Sequence, residues 1–398
     1  MLLLNKPFRG ASRDQPFYDV LQAEEALTRR WATNGPIINA PERRYWTQAV
    51  ESLSGGRNTI MYDDLYNPNV MVRIPKGTCE SVVPGSGEAV HPAFIVNGAE
   101  MDCVWIAKYS CIFVGSESSL RAISLRMRDP GNTINLDNAM LACKRCGTGW
   151  HLQTNAEWAY NALWSKINNC MPRGNNSYGT DHGVQSERGI VSYRYFSDPS
   201  WYNGRVYTGS GPRTWAHDGT IYGIWDMNGN VLEWVSGLRI YEGEIQVLEN
   251  NNAADNTKDQ SASSTEWKAI MQDGSLVAPG SAGTLKYDCE TTTPSGIRLN
   301  TTVEIRTTSY TSKVFQSLVA APGVTIPGRV KLLALAPVDG NHGGDYLYMD
   351  NRVGAERCAG RGGNWGGSSS AGVFYLYLIN DRSYAGSTRG FRSAFVRL

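Results

Sequence analysis

The sequence predicts an α+β chain that is β-rich, with two main helices, long loops and a β-rich insertion. Three observations carry this. Forty-two Gly, twelve Trp and twenty Tyr against 19% charged residues describe a turn-rich, aromatic-packed chain rather than a helical bundle or a disordered one. Short apolar runs alternate with turn residues over most of the length. Only two stretches combine helical spacing with firm capping signals. At 398 residues the chain supports a sizeable core, as two or three domains or as one large β-rich domain with insertions. The net charge of +1 provides no broad field to draw nucleic acid or anionic membrane, so recognition rests on local shape.

Residues 1–69 are expected to form an N-terminal attachment or oligomerisation segment that looks separate from the rest. A helix-compatible stretch over 18–32 is closed by Asn34-Gly35-Pro36, and Ser54-Gly55-Gly56 marks a second turn. The opening Met1-Leu2-Leu3-Leu4 is too short for a secretory signal, and no run approaches the ~20 apolar residues of a membrane span. That points to cytosolic synthesis without membrane insertion.

The main domain is placed at 70–398, opening with strands over 70–75 and 104–109. The first helix is expected over 136–146, with Asn135 as N-cap and Gly147 just past its end. The second starts at Thr154, whose spacing to Glu157 fits a capping box, and repeats Trp158, Ala162, Leu163 and Ile167 on one face. Residues 238–328 read as an insertion with hairpins about Glu242-Gly243 and Asp273-Gly274, and a short helix over 312–320. The eight Cys are too sparse for a disulfide scaffold and are expected mostly as reduced core residues. Cys143 and Cys146 have redox or zinc spacing, but no second CxxC or HxxxH pair accompanies them.

The C-terminal region 361–398 is the most informative. Its Gly362-Gly363-Asn364-Trp365-Gly366-Gly367 loop precedes Val373-Phe374-Tyr375-Leu376-Tyr377-Leu378-Ile379. Strand alternation buries Phe374, Leu376 and Leu378 and turns Val373, Tyr375, Tyr377 and Ile379 outward. Rigid Tyr beside adaptable Gly, Ser and Asn is the mixture that binding paratopes use. Trp365, Phe374, Leu376, Leu378, Phe391 and Phe395 are the expected anchors of the frame.

Met71-Val72-Arg73-Ile74-Pro75, Trp150-His151-Leu152-Gln153-Thr154-Asn155-Ala156-Glu157-Trp158, Trp225-Asp226-Met227-Asn228-Gly229-Asn230-Val231-Leu232-Glu233-Trp234 and Gly390-Phe391-Arg392 form an ordered set. It resembles the formylglycine-generating (sulfatase-modifying) branch of the C-type lectin fold. Within that branch the C-terminal region is similar to the variable proteins of diversity-generating retroelements, including phage tropism determinants. In those systems a reverse transcriptase rewrites template adenines, so Asn-codon positions vary among Tyr, Ser, Gly, Ile, Asp and Thr. Carried over residue by residue, the resemblance implies variable ligand-binding positions at Asn364, Gly366, Gly367, Ser368, Ser370, Tyr377, Ile379, Asn380, Asp381, Tyr384, Gly386, Ser387 and Thr388. It further implies a non-enzymatic protein on a phage tail that binds a cell-surface or other macromolecular ligand, protein or glycan. A homo-oligomer, a trimer by analogy, belongs to the same expectation. The alternative is a bacterial or prophage surface adhesin of the same fold.

Competing chemistry finds weaker footing, and no residue is assigned to catalysis, a metal or a cofactor. A formylglycine-generating oxidase needs a C-terminal Cys pair to bind copper, and residues 359–398 contain no Cys; Cys358 stands alone. His91, His151, His182, His217 and His342 show no local iron-binding signature, and His151 and His217 read as structural hydrogen-bonders. The sugar-binding triplets of calcium-dependent lectins are absent, and Asn228, Asn230 and Glu233 read as turn caps rather than calcium ligands. Gly360-Arg361-Gly362-Gly363 lacks the context of a phosphate loop and is read as backbone crowding under Trp365.

Overall fold

The capped segments are helices and the short apolar runs are strands in a computed structural model that describes residues 17–290 and 296–398. Helix α1 is Val20–Asn34, with Asp19 accepting the Gln22 N–H at its start. Helix α2 is Ala40–Ser54, which begins behind Asn39 and stops at left-handed Gly55. Helix α3 is Leu136–Lys144, capped by Asn135 as expected and ending two residues early. Helix α4 is Asn155–Ile167, and its capping box is complete: Glu157 N–H donates to Thr154 Oγ1 at 3.1 Å, and Thr154 N–H to the Glu157 carboxylate at 2.9 Å.

One antiparallel sheet has the order Asn58–Tyr62, Pro68–Pro75, Cys103–Ala107, Ser393–Phe395, Trp150–Leu152. A larger sheet runs Thr311–Val314, Tyr346–Met349, Leu376–Leu378, Glu356–Arg361, Leu232–Tyr241, Glu244–Val247, Lys286–Cys289, Ile297–Asn300, Val319–Ala320. Arg389–Phe391 adds to it in parallel beside Leu232–Tyr241. The main core joins Trp158 and Leu163 of α4 to Ile106 of the first sheet and to Leu299, Leu347 and Leu376 of the second. Among the described residues no helix is long and apolar enough to cross a membrane.

The described part of segment 1–69 is not a detached arm. Strand Asn58–Tyr62 completes the first sheet, and Lys108 Nζ reaches Glu24 of α1 at 2.7 Å in a fully buried ion pair. Asn58 Oδ1 accepts from the same ammonium at 3.0 Å, and the Tyr109 hydroxyl donates to the other Glu24 oxygen. Such charges are kept in a core only when paired and hydrogen-bonded, so α1 is bound to the sheet by chemistry that a loose tether would lack.

Both expected hairpins of the 238–328 insertion form. Leu232–Tyr241 turns into Glu244–Val247 through Glu242 and Gly243, both at positive φ, as a two-residue type I′ connection requires. Lys268–Ile270 pairs with Leu276–Val277. The helix expected over 312–320 does not form; the segment is strand Thr311–Val314, a single 3-10 turn at Phe315–Ser317, and strand Val319–Ala320. Edge pairing with Tyr346–Met349, helped by β-branched Thr311 and Val314, overrides the helical spacing. All eight Cys are free thiols, six of them buried, and Cys146 donates to the Ala122 and Ala142 carbonyls.

Candidate ligand-binding face

A parallel strand pair forms the base of the face. Tyr346–Met349 and Leu376–Leu378 align Leu347 with Leu376, Tyr348 with Tyr377 and Met349 with Leu378. Side chains alternate across a strand, so Leu347, Met349, Leu376 and Leu378 face the core and are buried, while Tyr346, Tyr348 and Tyr377 stand half-buried on the opposite side. The Tyr375 ring lies 6.1 Å from Tyr377 and 10° from parallel, and Tyr348 sits 5.4 and 5.5 Å from these two. Tyr310 adjoins Tyr348 at 6.4 Å and is exposed.

A buried cation supports this layer. The Arg389 guanidinium lies 4.6 Å from the centres of the Trp234 and Tyr377 rings and 5.7 Å from that of Tyr384. Gly360, directly across from Tyr377, makes room for it: a Cβ there would fall 2.3 Å from Arg389 Nη1. Burial lowers the Arg389 pKa to about 10, and Nη2 donates to Asn380 Oδ1. Asn380 therefore supports the layer besides lying at its edge.

The outward set needs correction. Val373 is buried, its carbonyl accepting the Trp158 indole N–H at 2.8 Å, and Tyr375 is sealed to 7% exposure by its Tyr neighbours. The strand spans only Leu376–Leu378, so alternation does not reach Val373 or Ile379, and Ile379 is half-buried. Of the expected anchors Trp365, Phe374, Leu376, Leu378 and Phe391 are buried, whereas Phe395 is half-buried against Trp150. All three glycines of 360–363 are crowded, though not by Trp365: a Cβ would meet Arg389 at 2.3 Å on Gly360, the Met227 carbonyl at 2.8 Å and the Trp158 ring at 3.2 Å on Gly362, and Ala371 at 2.5 Å on Gly363.

The remaining positions occupy two loops beside the tyrosines. In the first, Gly366 and Ser368 are exposed, Asn364 Oδ1 accepts the Gly366 N–H at 2.9 Å, and a Cβ on Gly367 would press on Ala371 at 2.9 Å. Ser370 Oγ donates to the Gly367 carbonyl. In the second, Asp381, Tyr384 and Ser387 are exposed, while Gly386 and Thr388 are half-buried and use their carbonyls to hold Thr133 and Leu232. Arg205 joins the two loops: it donates to the Ser387 carbonyl at 3.3 Å, and its guanidinium lies 5.6 Å from the Trp365 ring.

Sequence reasoning missed two contributors. Tyr310, Tyr346 and Tyr348 precede residue 361, although Tyr346-Leu347-Tyr348-Met349 repeats the alternation of Tyr375-Leu376-Tyr377-Leu378 and could have been recognised by it. The hairpin Arg194–Ser197 with Ser200–Asn203 stacks Tyr195 on Tyr202, reaches Trp365 through Tyr193, and exposes Phe196 and Trp201 on its other face.

The alternatives have specific structural answers. Cys358 is buried, its thiol pushed up to about 12 by burial, so neither a pair nor a reactive thiolate is present to fit copper. The Asn230 amide oxygen accepts from Asn175 and Val206, that of Asn228 from Asn176, and Glu233 is bound by Arg392 and Ser110, so these oxygens do not fit a calcium site. His151 bridges the Gly149 carbonyl and Glu157, and His217 accepts the Ile224 N–H. Among the described residues no three or more His, Cys, Asp or Glu converge as metal ligands.

Among solved structures, PvdO from Pseudomonas aeruginosa is similar at 15% identity, covering 85% of this chain and 98% of that one with a TM-score of 0.34. Treponema denticola variable protein 1 is similar at 12% identity over 85% of this chain and 99% of that one, TM-score 0.31. The U1 variant of the major tropism determinant is similar at 10% identity over 83% of this chain and 64% of that one, TM-score 0.30. No curated protein sequence matches. A model of the sulfatase-modifying factor enzyme 1-like domain matches residues 99–394, well over half of the sequence. The chain belongs to that family, and its α+β architecture is the family's form of the C-type lectin fold.

Proposed function

We propose that this protein is a non-enzymatic ligand-binding variable protein, diversified at its C-terminal region by a retroelement and carried on a phage tail as a receptor-binding protein. The observation that carries the reading is the division within the strand pair: buried Leu347, Met349, Leu376 and Leu378 on one side, a tyrosine layer flanked by Gly/Ser loops on the other. Core burial holds the backbone, so exposed positions such as Gly366, Asp381, Tyr384 and Ser387 accept other residues at little cost to stability, and Ser368, at positive φ, accepts residues that are not β-branched. Tyr supplies rigid contact area with two rotatable torsions, which suits a surface that must gain affinity from few residues. The lack of any Cys in 359–398 and the sealed Cys358 thiol support a binding role over thiol oxidation. Many copies on one particle would raise the avidity of a weak single site.

The test is a library randomised at those five positions, displayed and selected against unrelated bacterial surface proteins and glycans. Binders to different targets that keep a common melting temperature are expected. Copper-dependent thiol oxidation by the purified chain, or libraries in which every exposed substitution unfolds the protein, would overturn the reading. Neighbouring DNA offers a second check: a near-copy of the final codons differing at adenines, beside a reverse transcriptase gene.

A further inference from the structure

A cavity of about 460 Å³ lies between the end of α2, strand Pro68–Pro75, helix α4 and the loop over 217–222. It shares no residue with the tyrosine layer and falls within the ~300–1,000 Å³ of small-molecule sites. Val72, Ile74 and Trp164 form apolar wall, and at the rim the Arg57 guanidinium stacks 3.6 Å from the centre of the Tyr222 ring.

Two polar side chains in the lining are nearly fully buried yet half-used. Asn161, 1% exposed, donates its amide N–H to the Glu157 carbonyl at 2.9 Å, which fixes the amide orientation; no described residue donates to its Oδ1. His217, 5% exposed, accepts the Ile224 N–H on Nδ1 at 2.8 Å, so a neutral ring carries its proton on Nε2, for which no described residue is an acceptor. Burial depresses the imidazole pKa to about 4, which keeps it neutral near pH 7. Ser165 Oγ lies within hydrogen-bond distance of the carbonyls of both residues, at 2.8 and 2.7 Å, and holds the two as neighbours. The Trp164 ring is 5.6 Å from the imidazole. An unused donor and an unused acceptor thus lie in the lining of one cleft, whose other polar members include Arg57, Arg73, Asp218 and Thr220.

We propose that this cavity binds a small planar molecule bearing a primary carboxamide or a lactam edge, whose carbonyl takes the His217 Nε2–H while its N–H donates to Asn161 Oδ1. The ring of the ligand lies against Trp164, and the Arg57–Tyr222 stack closes the rim. A carboxylate of the same shape has no donor to offer and sets its own lone pairs against the Asn161 oxygen. The proposal is independent of the tyrosine layer and of the function assigned to it.

The test is titration of the full chain with nicotinamide, uracil and nicotinate, followed by calorimetry and ligand-observed NMR. Nicotinamide represents the carboxamide and uracil the lactam, and the tighter of the two identifies the source. Either is expected to bind saturably, about tenfold or more tighter than nicotinate, because a site built around polar groups rejects analogues that leave them unpaired. Asn161→Leu, and Trp164→Leu at a partly exposed position, should each weaken the better amide about tenfold. If Asn161→Leu fails to fold, the comparison of amide with acid on the unaltered chain still decides. Equal binding of nicotinate, no saturable binding of either amide at about 10 mM, or binding unchanged in both folded variants overturns the proposal.

Discussion

Leu376→Ala and Tyr384→Ser, made separately, ask whether support and recognition belong to different side chains. Leu376 is fully buried and aligned with Leu347 on the neighbouring strand, so truncation opens a cavity and costs about 2–5 kcal/mol. Tyr384 is 42% exposed, and its ring meets the Arg389 guanidinium only at 5.7 Å, so its loss costs about 0.5–1 kcal/mol. A chain of 398 residues has an unfolding entropy of about 0.8 kcal/mol/K at its midpoint. The first variant should therefore lower Tm by about 3–6 °C and the second by about 1 °C. Thermal melts followed by circular dichroism at one scan rate measure both. If Tyr384→Ser falls as far as Leu376→Ala, the tyrosine layer is itself structural and the proposed division of labour fails.

Gly360→Ala should cost about 1–3 kcal/mol in urea denaturation, because the added carbon would sit 2.3 Å from Arg389 Nη1 and 3.2 Å from Leu232. Arg392→Met should cost about 3–5 kcal/mol by the same assay, since it strands the buried Glu233 carboxylate that Arg392 meets at 2.8 Å. Asp345, fully buried, has its pKa raised to about 7 by desolvation, above its unfolded value; its contribution to stability is therefore present in acid and lost as pH rises toward 7. Asp345→Asn, which keeps an acceptor for the Phe374 N–H, should remove that part of the decline in Tm between about pH 4 and 7. His91 has the opposite sign: burial lowers it to about 4, so its contribution is lost as pH falls below about 6.5, and His91→Gln should soften the acid limb of the Tm profile.

Local signals were legible wherever one short segment decides its own structure. Thr154 and Glu157 announced α4, Asn135 announced α3, and Glu242-Gly243 announced a hairpin, because caps and positive-φ turns are satisfied within a few residues. Helix α2 was not named although Asn39, Pro41 and Gly55 bracket it, since its apolar face is thin: among its fifteen residues only Trp46, Val50 and Ser54 are buried. Long-range partners were illegible. Nothing in residues 312–320 says that Tyr346–Met349 will pair beside them, and nothing in Glu24 says that Lys108 will meet it. The same holds at the candidate face, where Tyr377 was read correctly from its own alternation, while Tyr310 and Tyr348 came into reach only through the parallel register that sets them alongside it.

The Ser393–Phe395 strand lies inside the first sheet, between Cys103–Ala107 and Trp150–Leu152, rather than at its edge. Any chain that stops or loses its reading frame within residues 361–392 would leave these two strands with an empty lane between them and two open hydrogen-bonding edges. The sheet is therefore finished only after the whole C-terminal region has been made in frame. A truncated or frameshifted copy is therefore removed at the folding step.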